Sequence, residues 1–196
     1  MKQDVNGLAR QMQEALARQD WPQALKACDG LLAAMPDHAA LHYNRALVLR
    51  KLGRDEEAAA GFEKAIERDH DNARFELGSI RLEAGDAAGA AALFERFLEY
   101  SPDDADAKLN LGNAKLALGE PDEALRLLSA AHAVAPSDLS LRSLAIACRE
   151  TGDHDACRRL LGERQKTQAN AADNLKILTQ GSKGRISLAS RALGSL

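Results

Sequence analysis

The sequence predicts an all-α chain, an α-solenoid made of stacked helical hairpins. Three observations lead there. Alanine and leucine dominate while aromatics make up only 4% of the 196 residues, a composition that favours helices in close contact over sheets. Four glycines recur at nearly constant intervals, and a small residue followed by a large one stands at a fixed distance after each.

Gly53, Gly85, Gly119 and Gly152 are separated by 32, 34 and 33 residues. Five positions after each comes Ala58, Ala90, Ala124 or Cys157, and four further on Phe62, Phe94, Leu128 or Leu161. A spacing of four puts each pair on one helix face, as a packing stripe. Ahead of each turn glycine stand Arg45-Ala46, Leu77-Gly78, Leu111-Gly112 and Leu144-Ala145, the second member always Gly or Ala.

Taken in order, the first hairpin spans 5–38 and keeps Ala24, Cys28, Leu31 and Pro36 but has no turn glycine. The second, 39–70, carries Gly53, Ala58, Phe62 and Ala65 and ends with His70 where Pro36, Pro102 and Pro136 close other units. Proline cannot continue a helix and forces its predecessor out of the helical region. The third, 71–104, has Leu77, Gly78, Gly85, Ala90, Phe94 and Pro102, and the fourth, 105–138, has Leu111, Gly112, Gly119, Ala124, Ala131 and Pro136. The last, 139–165, is degenerate, with Cys157 in the first alanine slot and Arg164 in the second. Asp20, Asp86 and Asp153 stand where a second helix needs its N-cap. The alanine after each turn lets the two helices of a hairpin approach, and the glycine of the first helix is expected to let the next hairpin nest against it. Residues 170–179 are expected to form a capping helix, with Leu175 and Leu178 covering the end of a 1–179 array.

This pattern resembles the tetratricopeptide repeat over residues 5 to about 165. The resemblance implies a right-handed superhelix whose concave side is lined by the first helix of each hairpin, and a groove for a partner protein. Carried onto this chain, the family's lining positions are Asn6, Ala9, Gln13 and Leu16; Ala40, Tyr43, Leu47 and Arg50; Asn72, Phe75, Ser79 and Leu82; Asp106, Leu109, Asn113 and Leu116; and Leu139, Arg142, Ile146 and Arg149. They describe a trough that is apolar in the middle, with arginines towards the C-terminal end. Such a trough suits an extended or helical peptide with apolar side chains and an acidic or C-terminal carboxylate feature. The plainer reading is that Tyr43, Phe75 and Leu109 pack between hairpins. The carboxylate clamp of some relatives is unmatched, since Tyr43 and Leu47 stand where it needs Lys and Asn. Asn44 and Asn110 partly match the asparagine ladder of the protein O-glycosyltransferase relatives, which Glu76 and Ser143 interrupt.

No constellation of catalytic or metal-ligating residues outweighs a structural explanation. His38 and His42 have no third ligand beside them. The carboxylates of Asp103, Asp104 and Asp106 suit the start of a helix, and Cys157, near His154, fills a small-residue slot. The stretch GSKG at 181–184 lacks phosphate-loop spacing. The expectation is therefore no enzyme activity, no cofactor and no metal. A net charge of -3 argues against wholesale nucleic-acid binding. No apolar run is long enough for stable membrane insertion, and the lack of a signal-peptide pattern and of paired cysteines points to the cytoplasm.

After Asp173 there is no acidic residue, while Lys176, Lys183, Arg185 and Arg191 are basic, which leaves 22 basic against 29 acidic residues before them. Residues 180–196 read as a basic tail or docking helix, expected to lie on the chain itself or on a second copy. The function expected is a non-enzymatic scaffold or adaptor. The alternative is the substrate-recognition module of a protein-modifying transferase whose catalytic part lies in a following domain or another chain. A third reading, a basic tail binding an acidic surface, has few charges to rest on.

Overall fold

The computed structural model describes residues 5–167 and 171–179. Among them the chain is all α-helical and divides after Ile80 into two compact units. The first holds α1 (Val5–Ala17), α2 (Trp21–Ala34), α3 (Ala39–Lys51), α4 (Asp55–Ile66) and most of α5 (Asn72–Glu83). The second holds the end of α5, then α6 (Ala87–Tyr100), α7 (Ala105–Ala117), α8 (Pro121–Val134), α9 (Asp138–Glu150), α10 (His154–Thr167) and α11 (Ala171–Thr179).

In the first unit, the Asp20 side chain accepts a hydrogen bond from the Gln23 backbone at 3.1 Å and starts α2, whose first turn also holds Pro22. The chain leaves α2 at Met35, just before Pro36. Between α1 and α2 the left-handed turn residue is Gln19 (φ 57°), in the place that Gly53 (φ 71°) takes between α3 and α4. Small residues then set the helix separation. A Cβ on Gly61 of α4 would lie 2.9 Å from the Cβ of Ala46 on α3. Met12, Ala27, Cys28, Leu31 and Leu41 form one part of the core, and Ala15, Ala24 and Val48 another. Helix α4 ends without proline: Asp69 turns left-handed (φ 62°), and the His70 amide donates back to the Ala65 carbonyl at 3.0 Å.

In the second unit, Asp86, Asp104 and Asp153 accept from the backbone amides of Gly89, Ala107 and Ala156 at 2.8–2.9 Å, capping α6, α7 and α10. Ser137 and Ser140 form a reciprocal capping box at α9. The core gathers Leu109, Leu116, Leu128, Leu144, Ile146, Cys157, Leu161 and Ile177 around Ala124, Ala131, Ala145 and Ala147. Burying each large aliphatic side chain contributes about 1.5–3 kcal/mol.

Two expectations change here. Gly112 of α7 faces Leu128 and Ala124 of α8, its own hairpin partner, so it brings the two helices of one hairpin together and does not serve the nesting of the next. On α11 the residues turned inwards are Asn174 and Ile177, whereas Leu175 and Leu178 are exposed. The reason is polar: Asp173 and Asn174 meet Arg164 of α10, and this fixes the helix rotation. The basic tail at 180–196 lies outside the described residues. Among the described residues no helix is long and apolar enough to cross a membrane.

Candidate protein-binding face

In the first unit the predicted lining residues fall into two groups. Tyr43, Leu47 and Arg50 on α3 are partly accessible, and Asn72 at the start of α5 is exposed. Phe75 and Ser79 are buried, and the Ser79 hydroxyl donates to the Phe75 carbonyl at 3.0 Å. Tyr43 stacks on His70, ring centroids 4.3 Å apart, and meets Phe62 at 5.7 Å with tilted planes. Arg50 donates to the Glu76 carboxylate at 3.1 Å and to its backbone carbonyl at 3.4 Å, tying α3 to α5.

In the second unit Leu82 and Asp106 are partly accessible, whereas Leu109, Asn113, Leu116 and Ile146 are buried. The apolar positions Phe75, Leu109, Leu116 and Ile146 are thus packing residues within their units, and most of the predicted positions that stay accessible are polar. The ladder positions are buried too, Asn44, Glu76, Asn110 and Ser143 all being at most 7% exposed. Asn44 Oδ1 and Ser143 Oγ lie buried without a hydrogen-bond partner among the described residues.

Arg142 and Arg149, expected to meet a partner's carboxylate, face α11. Arg142 Nε donates to Asp173 Oδ2 at 3.2 Å, and Arg149 donates to the Ile177 backbone carbonyl and to Glu150. Arg164 lies beside them, 2% exposed. It forms a two-pronged pair with Asp138 of α9 (2.7 and 2.9 Å) and donates to Asp173 Oδ2 at 2.6 Å and Asn174 Oδ1 at 2.7 Å. Asn174 in turn donates to the Leu161 carbonyl at 3.2 Å. Burial alone would raise the Asp173 pKa, but the hydrogen bond from Arg164 and the charge of Arg142 outweigh it and hold the carboxyl below its usual range.

Sequence reading missed Asp138, Asp173, Asn174 and Ile177 as members of this cluster. A signal was available in Arg164, a guanidinium in the slot that Ala65 and Ala131 fill elsewhere. A buried cation needs acceptors close by, here two carboxylates and an amide oxygen.

Of the other singled-out residues, His42 places Nε2 2.7 Å from the Pro36 carbonyl and His38 sits at the N-cap of α3. The described residues contain no group of three or more His, Cys, Asp or Glu side chains that could hold a metal ion.

Sequence models of the tetratricopeptide repeat match residues 10–73, 81–144 and 139–163. Among curated proteins, the Hsp70-Hsp90 organizing protein of Triticum aestivum is 36% identical over 92 residues, covering 46% of this chain and 16% of that protein. Protein FlbA of Caulobacter vibrioides is 29% identical over 172 residues, 67% of this chain and 29% of its own length. The chain therefore spans less than a third of either relative. Among solved structures, MamA from Desulfovibrio magneticus (residue 41 to the end) superposes with a TM-score of 0.79 at 18% identity, covering 87% of this chain and 99% of that one. YrrB, described as a TPR protein with an unusual peptide-binding site, superposes with a TM-score of 0.75 at 18% identity, covering 84% and 86%.

Proposed function

Since the chain belongs to the tetratricopeptide-repeat family, we propose that it works as a non-enzymatic scaffold or adaptor, holding a peptide segment of a partner protein against the first helices of its hairpins. Such hairpins bury their apolar faces against neighbours and leave one row of helices to meet ligands. The observation that carries the reading is the accessible set Tyr43, Leu47, Arg50 and Asn72 on α3 and α5. It offers an aromatic ring, an aliphatic side chain, a cation and an amide, a mixture that suits peptide recognition. The peptide-binding site in the description of YrrB supports it by analogy. Three free, buried cysteines support a reducing compartment such as the cytoplasm.

The test compares proteins captured from the native cell by the wild-type chain and by a Leu47→Asp, Asn72→Arg variant. Asn72 is exposed and Leu47 partly accessible, so the helical signal should hold. Partners that bind this face should fall at least ten-fold in yield. An identical partner set from both chains would place recognition elsewhere.

A further inference from the structure

Helix α11 is fastened to α9 and α10 at three points. At its first turn the Asp173 carboxylate accepts from both Arg142 and Arg164. One residue on, the buried Asn174 amide accepts from Arg164 and donates to the Leu161 carbonyl. In the last turn, Arg149 caps the Ile177 carbonyl while the Ile177 side chain joins the core of the second unit. A helix that merely covers an apolar end needs apolar side chains. This face instead reads an acidic residue, an amide beside it, an aliphatic residue one turn later and a free helix-end carbonyl.

Two features suit a reversible occupancy. With nine residues, α11 is too short to be a stable helix by itself. Among its described side chains only Asn174 and Ile177 are buried, so its opening costs less than opening α9, which buries seven of its residues. The face also has a donor that α11 leaves unused: Arg142 Nη1 is buried and without a hydrogen-bond partner among the described residues. A helix with one more acceptor in its first turn would satisfy it.

We propose that the α9–α10 face is a receptor for an amphipathic helix with an acidic pair in its first turn and an aliphatic residue one turn later, and that α11 is a tethered stand-in which such a partner helix displaces. The inference rests on the protein-binding reading above and names the surface and the partner chemistry for the second unit. Only residues 168–170 separate α10 from α11, and a short tether holds a segment at an effective concentration of roughly millimolar. A partner helix must outbid that, and the unused Arg142 donor supplies the margin.

The probe is a fluorescein-labelled peptide of residues 170–179, with a second peptide in which Ala172 is replaced by Glu. The hosts are the full wild-type chain and a full chain carrying Asp173→Lys and Ile177→Asp, which releases its own α11. The released chain should bind the probe at least ten-fold more tightly than wild type, and the Glu-bearing probe more tightly still. Adding Arg142→Glu and Arg149→Glu should abolish binding. Equal binding to both hosts, with helical content retained, overturns the inference. Should the released chain fail to fold, amide exchange in the wild-type chain decides. Opening of α11 at least ten-fold faster than α9 supports displacement, and a shared rate makes α11 a fixed cap and overturns it. Partners sensitive to Leu47 and Asn72 but indifferent to α11 release would sink this inference and leave the broader function standing. Probe binding to the released chain, with no such partners, would do the reverse.

Discussion

Gly112 and Leu128 fit together so closely that a Cβ on the glycine would stand 2.6 Å from Leu128 Cγ and 2.8 Å from Cδ2. Leu128 is fully buried and cannot swing away. Alanine at 112 gains roughly 0.5–1 kcal/mol over glycine within a helix, but forcing bulk into a packed contact costs about 1–3 kcal/mol. Gly112→Ala is therefore expected to lower stability in urea unfolding. Leu128→Ala alone should cost about 2–5 kcal/mol. In a double-mutant cycle the two changes should cost less together than their sum, and strict additivity would show that they do not touch in the way described.

Gln19 carries a left-handed backbone (φ 57°) at a turn where Gly53, Gly85, Gly119 and Gly152 hold the same place with φ of 71–88°. A side chain in that region costs about 1–2 kcal/mol, while glycine brings its own unfolded-state entropy of roughly 0.5–1 kcal/mol. Gln19→Gly should raise the melting temperature, with a gain of up to about 1.5 kcal/mol from these two figures. A fall in melting temperature would mean that the turn is unstrained.

His70, stacked on Tyr43, has its pKa lowered chiefly by burial, against smaller opposing effects from a backbone hydrogen bond and Asp71. Its folded pKa lies below its unfolded value, so its contribution is complete above about pH 6.5 and is lost as the pH falls from there through the folded value. Thermal melts should show the wild type losing more stability than His70→Phe on acidification through that window. Parallel pH profiles would remove His70 as the cause.

Lys115 Nζ lies 3.1 Å from Glu95, 3.0 Å from Glu120 and 3.2 Å from Glu123, joining α7 to α6 and α8. The hydrogen bonds it donates to Glu120 and Glu95 chiefly raise its pKa, so it stays charged. Lys115→Met would leave three partly exposed carboxylates facing one another. The variant should be destabilised most at low ionic strength and recover part of the loss in about 1 M salt, where screening reaches only about 3 Å. A salt-independent loss would point to packing by the lysine stem.

The features legible in the sequence are those that one residue imposes alone. The turn glycines, the N-caps Asp20, Asp86 and Asp153 and the small slots at Ala58, Ala90 and Ala124 each answer a local demand of the backbone. Where two surfaces must choose each other, the same signals lose direction. Gly112 announces a close approach but not which helix approaches. The stripe containing Phe75, Leu109, Leu116 and Ile146 has one spacing whether it faces a ligand or a neighbouring helix. In α11 the apolar residues Leu175, Ile177 and Leu178 permit two rotations, and hydrogen bonds to Arg164 from outside the helix select between them.

Each unit also carries its own unfolding reporter. Cys28 lies in the first unit and Cys148 and Cys157 in the second, all free and buried. Burial foremost pushes all three thiols above their ordinary values, Cys28 to about 11. Thiolate is the reactive form, so these buried thiols are expected to react slowly with alkylating reagents in the native chain and faster when a unit opens. Mass spectrometry of the Cys28 peptide would then time excursions of the helices around Cys28, and the Cys148 and Cys157 peptides those of α9 and α10, without any inserted probe.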